Sequence, residues 1–180
     1  MVYVILGKGF EEVEAIAPVD ILRRCGVEVC TAGIGGKTVE GSHGISVMAD
    51  CTVEEIDQNK LDMIVLPGGM GGVHSMLGSE TALEAIRRAW NDGKYVAAIC
   101  AAPTVLAKLG ISDGRTVTSY PGMEDQMGSC DYRNDQSVIV DGKLITSRGP
   151  GTATAFGLEL ARILCGAETA DATAQGMLLK

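Results

Sequence analysis

Short, wholly apolar runs alternate along this chain with stretches that are apolar on one side only. "VYVIL" (2–6) predicts a strand buried on both faces, and about 11–25 follows at helical spacing. "VEVCTAG" reads as a second strand, and "KTVEGSHGISV" as a hairpin among glycine-rich turns. "LDMIVLPGGM" (61–70) is a buried strand ending in a Pro-Gly-Gly turn. "SETALEAIRRAWNDG" has a Ser N-cap, Glu84 nearby and a closing Gly93, which mark a helix.

"YVAAIC" then predicts a strand, "AAPTVLAKLG" a helix stopped by Gly110, and "RTVTSY" another strand. "SVIVDGKLITS" predicts a hairpin turning at Asp141-Gly142, "GTATAFGLELARILCG" the last long helix, and 167–177 a final segment. Strands of four to six apolar residues separated by helices imply a parallel sheet covered on both sides. The expected fold is α/β: a three-layer sandwich of flavodoxin-like type, mostly parallel, with a small β-hairpin. It forms a single domain over 1–180. In such sheets the site lies beyond the carboxyl ends of the strands, which singles out "GKGFEE", "PGGMGG" and Cys100.

Composition narrows the function. A formal charge of −8 without a basic run gives no footprint for nucleic acid or for an anionic membrane. No apolar run approaches the ~18 residues of a membrane span, so a cytoplasmic protein is expected. The six cysteines form no CxxC pair and no cluster with the two histidines, so neither a metal nor a disulfide framework is expected. "GKGFEE" fails as a dinucleotide loop, because Glu12 stands at the third glycine position and three acids would repel a pyrophosphate. No cofactor is implied.

Cys100 stands apart from the other thiols. A side chain at a sharp strand-to-helix turn is exposed by the bend, and the free N–H groups of the helix start favour a thiolate. A thiol of ordinary pKa, ~8.5, is only about 3% ionised at neutral pH, so such a setting predicts a lowered value. The alternative is a plain core cysteine. Glu14 falls among Ala17, Pro18, Ile21 and Cys25 on the apolar sector of its helix, whereas Glu12, Arg23 and Arg24 fall outside it. A buried carboxyl needs a partner, and Cys100 is a candidate; the alternative is a helix-start acid favoured by the dipole. Gly68 and Gly69 are candidate backbone donors for an oxyanion, or simply a packing turn. His43 and His74 lie in glycine-flanked loops with no spacing that pairs them with Cys100.

"GFEEVEAIAPVDILRRCGVEV", "LPGG", "AAICAAPTVLA" and "TSRGPGTATAF", in that order, resemble the ThiJ/PfpI superfamily in the branch of the human parkinsonism-associated deglycase. The resemblance implies a flavodoxin-like homodimer with Cys100 as nucleophile or oxidisable thiol. It implies Glu14 as the protonated carboxyl beside the sulfur, Gly69 and Ala101 as oxyanion donors, and Arg148 as a pocket or dimer-edge arginine. Tyr120 stands where many relatives have a pocket histidine, and His43 where the human protein has an arginine. Ala101 replaces the histidine that follows the cysteine in peptidase members, which argues against proteolysis. The implied activity is conversion of methylglyoxal or glyoxal, or reversal of their protein or thiol adducts. The alternative is a non-catalytic oxidation sensor or chaperone acting through Cys100.

Overall fold

The computed structural model describes residues Met1–Leu179. The strands are β1 (Val2–Leu6), β2 (Val29–Gly33), β3 (Thr38–Glu40), β4 (Ser46–Met48), β5 (Cys51–Thr52), β6 (Met63–Leu66), β7 (Tyr95–Ile99), β8 (Thr116–Val117), β9 (Asp131–Tyr132), β10 (Val138–Asp141) and β11 (Leu144–Ser147). The helices are α1 (Glu12–Arg24), α2 (Met70–Leu77), α3 (Glu80–Asn91), α4 (Pro103–Lys108), α5 (Ala153–Cys165) and α6 (Ala167–Gly176).

Seven strands form the central sheet in the order β10-β11-β7-β6-β1-β2-β5. Only β10 runs antiparallel to its neighbour. Every residue of β1 and β6 is buried, as the unbroken apolar runs require of strands covered on both faces. α1 packs on α5 and α5 on α6, while α2 packs on α3 and α4, so the helices fall into two groups. β3 and β4 make the expected antiparallel hairpin. Among the described residues no helix is long and apolar enough to cross a membrane. The flavodoxin-like α/β arrangement read from the sequence is the one observed.

Three local readings are corrected. "PGGMGG" is not all turn, because α2 begins at Met70; burial of Val73 and Met76 overrides the low helix propensity of its glycines. "RTVTSY" keeps only two strand residues, paired with β9 outside the main sheet, and the Thr118 N–H binds the Thr146 hydroxyl at 2.9 Å instead of a ladder carbonyl. The β10–β11 turn comprises Gly142 and Lys143, since Asp141 pairs with Leu144. The Asp141 carboxylate is taken by the Thr116 N–H at 2.7 Å and by Arg115 at 3.3 Å.

The parallel register brings the carboxyl ends of β1, β6 and β7 to one edge, followed directly by Gly7–Glu11, Pro67–Gly69 and Cys100. Helix α1 is fixed over this edge by close contact with α5, where a Cβ on Gly157 would lie 2.8 Å from Ile21 Cδ1 and 3.0 Å from Pro18 Cα. Glycine inside a helix costs about 1 kcal/mol relative to alanine, and the closeness of this contact accounts for its presence. Gly157→Leu is expected to destabilise the chain by about 1–3 kcal/mol, or roughly 3–10 °C in melting temperature. An unchanged thermal transition would show that α1 and α5 separate freely.

Candidate active site

Cys100 follows the last residue of β7 with φ 65°; among the described residues only Leu178 shares a positive φ without being glycine. Such a conformation costs on the order of 1–3 kcal/mol and needs outside support. The Cys100 N–H donates to the Ser147 carbonyl at 3.0 Å, and the Cys100 carbonyl accepts from the Tyr120 N–H at 2.8 Å. Pro103 then starts α4. The strand-to-helix elbow predicted at this joint is present, but it does not expose the side chain as expected, because the neighbouring loops cover it and leave the residue only 9% exposed.

Glu14 reaches the elbow from the first turn of α1 and is fully buried. Its N–H donates to Glu11 Oε2, the helix N-cap, at 2.7 Å. The Glu11 N–H in turn donates to the Gly68 carbonyl at 3.0 Å, and the Gly68 N–H donates to Glu14 Oε2 at 2.8 Å. A Cβ on Gly68 would sit 2.7 Å from both Cys100 Cβ and Glu14 Oε2, so only glycine lets the thiol and the carboxyl approach across it. Gly69 has φ 80°, and a Cβ there would meet the Gly9 carbonyl at 2.4 Å. The N–H groups of Gly69 and Ala101 face the Cys100 sulfur. Gly68, proposed beside Gly69 as an oxyanion donor, instead has its N–H committed to the carboxylate.

Burial raises the Glu14 carboxyl to about 7, against hydrogen bonds from Cys100 and the Gly68 N–H. Glu14 Oε1 has no hydrogen-bond partner, while the carboxyl as a whole interacts with the Cys100 thiol. Burial first, and then the neighbouring Glu14, push the Cys100 thiol up to about 12, while the Gly69 and Ala101 N–H groups pull it down. This corrects the lowered value expected at a helix start: the donors are in place, but desolvation and the adjacent carboxyl outweigh them.

The remaining candidates lie around this centre. His43, on the turn of the β3–β4 hairpin, donates its N–H to Glu12 Oε1 at 2.7 Å, and its Nδ1 lies 2.8 Å from Glu12 Oε2. Burial works against the Glu12 charge, but the His43 bonds win and hold the carboxyl down to about 2. Glu12 is therefore buried, contrary to its place outside the apolar sector, because the hairpin covers it. Ligand atoms of Glu11, Glu12 and His43 lie within 4.8 Å of one another, the spacing of a possible ion site, but Glu12 and His43 bond to each other there. Tyr120 and Arg148 line a neighbouring recess of about 330 Å³ that Cys100 does not line, and the Tyr120 ring approaches Gly149. His74 is exposed on α2. Sequence reasoning missed Glu11 and Ser147, which act through a carboxylate cap and a backbone carbonyl; only the acid run "FEEVE" hinted at the first.

The sequence pattern of the DJ-1/PfpI family matches residues 1–163. Protein dj-1beta of Drosophila melanogaster is 44% identical over 178 residues, covering 98% of this chain and 95% of that one. Its crystal structure superposes with a TM-score of 0.95 at 43% identity, covering 98% and 96% of the two chains. A Pyrococcus abyssi protein named deglycase is 38% identical over 157 residues, covering 86% of this chain and 93% of that one.

Because the Glu14 carboxyl lies above its unfolded value, the folded chain holds that proton more tightly, and stability falls as pH rises from about 4.5 through about 7. The carboxyl alone accounts for about 3 kcal/mol of this loss. Urea unfolding of Glu14→Gln over the same range should lack that component, and equal pH slopes in the two proteins would contradict a buried acid.

Proposed function

Since the chain belongs to the DJ-1/PfpI family, we propose that it is a cofactor-independent enzyme of thiol–carbonyl chemistry, acting on methylglyoxal, glyoxal or their adducts on proteins and thiols. The observation that carries this reading is the Cys100–Glu14 contact across Gly68, with the Gly69 and Ala101 N–H groups turned to the sulfur. With the thiol raised to about 12 and the carboxyl to about 7, the ionised Glu14 is the base that takes the Cys100 proton as the sulfur attacks, and the protonated carboxyl left behind is the adjacent proton carrier.

The Cys100 sulfur adds to the aldehyde carbon; a C–S bond forms, and the carbonyl electron pair moves to oxygen, held by the Gly69 and Ala101 N–H groups. Glu14 hands the thiol proton to the oxygen that becomes the C2 hydroxyl and carries the C1 proton to C2, which turns the hemithioacetal into a thioester. Water then releases lactate and restores the thiol. C1 is oxidised as C2 is reduced, so no external oxidant is consumed. A reducing, cytoplasmic setting suits a chain whose six cysteines are all free. The second reading, an oxidation sensor or chaperone, is favoured by the unpartnered Glu14 Oε1, which could bond a Cys100 sulfinate.

A homodimer belongs to this proposal. Val13 (50% exposed) and Ile16 (41%) on α1 join Ile45 (58%) of the hairpin in one apolar face, which a second copy would cover.

Purified protein should form lactate from methylglyoxal without glutathione. Cys100→Ser should abolish this, and Glu14→Gln should lower kcat by about 10²–10⁴. Lactate formation that survives Cys100→Ser would sink the enzyme reading; no turnover, with selective gain of two oxygens at Cys100 under peroxide, would favour the sensor. Sedimentation should give twice the 18.8 kDa chain mass, and Val13→Asp with Ile45→Asp should return the monomer. A monomeric wild type would leave that face without its proposed partner.

A further inference from the structure

The outer edge of the sheet holds a second pair of thiols that the Cys100 centre does not use. Cys30 on β2 and Cys51 on β5 bring their sulfurs to 3.2 Å, sharing a hydrogen bond, and both are partly exposed. Ala32 is the register partner of Cys51, so Cys30, two residues earlier on β2, presents its side chain to the same face. Cys25 and Cys165 also interact, but the Cys25 thiol donates to Thr173 Oγ1 at 3.1 Å and the Cys165 thiol to the Ala161 carbonyl at 3.0 Å.

We infer that Cys30 and Cys51 are a redox modification site, closing to a reversible disulfide when a hydroperoxide reaches the sheet edge. A disulfide has its sulfurs ~2.05 Å apart, so the two need to approach by about 1.1 Å. The strand that must yield is β5, which is two residues long and bonded on one side only. The surroundings assign the order of events. Burial raises both thiols, and the bond between them lowers Cys30 and raises Cys51; Asp50 works against charge on Cys30 while Arg23 favours it, and Glu55 works against charge on Cys51. Cys30 is the attacking sulfur and Cys51 the resolving one.

The chemistry balances. Cys30 thiolate attacks one peroxide oxygen; an S–O bond forms, the O–O bond breaks, and the leaving hydroxide takes a proton to become water. Cys51 sulfur then displaces the hydroxyl from the Cys30 sulfenic acid, its own proton leaving with that hydroxyl as a second water. Two thiols lose two electrons, and one hydrogen peroxide becomes two waters. The new bond closes the segment 30–51, which carries the β3–β4 hairpin and with it His43, the cover over Glu12. Oxidation at the sheet edge thereby clamps both ends of the hairpin that borders the Cys100 centre.

The full-length chain, treated with hydrogen peroxide, alkylated under denaturing conditions and digested, should yield a peptide pair joined through Cys30 and Cys51. That pair should be two hydrogens lighter than the reduced peptides and should separate with dithiothreitol. The link should form equally in Cys100→Ser, so failure of the thiol–carbonyl reading leaves it standing. In Cys51→Ser the link should vanish and dimedone should trap Cys30 as the sulfenic acid; the wild-type measurement needs no variant to fold. The inference is overturned if Cys30 and Cys51 both remain alkylatable while Cys100 is being oxidised. A link joining only Cys25 to Cys165, or only separate molecules, overturns it too.

Discussion

Both backbone groups of Gly68 are bonded to the first turn of α1: its N–H holds the Glu14 carboxylate, and its carbonyl receives the Glu11 N–H. Its missing side chain is the space across which Cys100 and Glu14 meet. Three segments far apart in sequence are thus locked by one residue without a side chain. The parallel register of β1, β6 and β7 delivers them to the same edge, and this glycine sets their separation. A thiol and a carboxyl could sit on this sheet edge without it, but not in contact.

Three glutamates at the start of one helix illustrate how position decides charge. Glu11 caps the helix through its carboxylate. Glu12, covered by the hairpin and bonded to His43, is held at about 2. Glu14, turned inward with one N–H and a thiol for company, is raised to about 7. The helix dipole is common to all three, so it cannot produce the difference. What separates them is desolvation set against the number of donors reaching each carboxylate.

Sequence reasoning reached the fold wherever burial is written into the local pattern. β1, β6 and β7 are apolar on both faces, and α1, α3 and α5 keep their spacing. It located Cys100 from the strand–helix joint and Glu14 from the helical wheel, because both signals lie within a few residues. It lost α2, whose glycines look like turn until Val73 and Met76 find a surface to bury against. It misjudged Glu12, whose cover comes from His43 thirty-one positions away. It also gave the Cys100 thiol the wrong sign of shift, since a helix start is visible in a string of letters and the depth of a sulfur is not.

The sheet ends differently on its two sides. One border is β10, the single reversed strand, and the other is β5, only two residues long. Long flat borders with unpaired amides invite other chains to add on, and natural proteins blunt them with brief or twisted strands. At the β5 border almost no backbone is left to template an incoming strand, and β10 closes its turn with Asp141 tied to Arg115 and Thr116. Folded copies of this protein therefore offer one another little edge backbone to pair with.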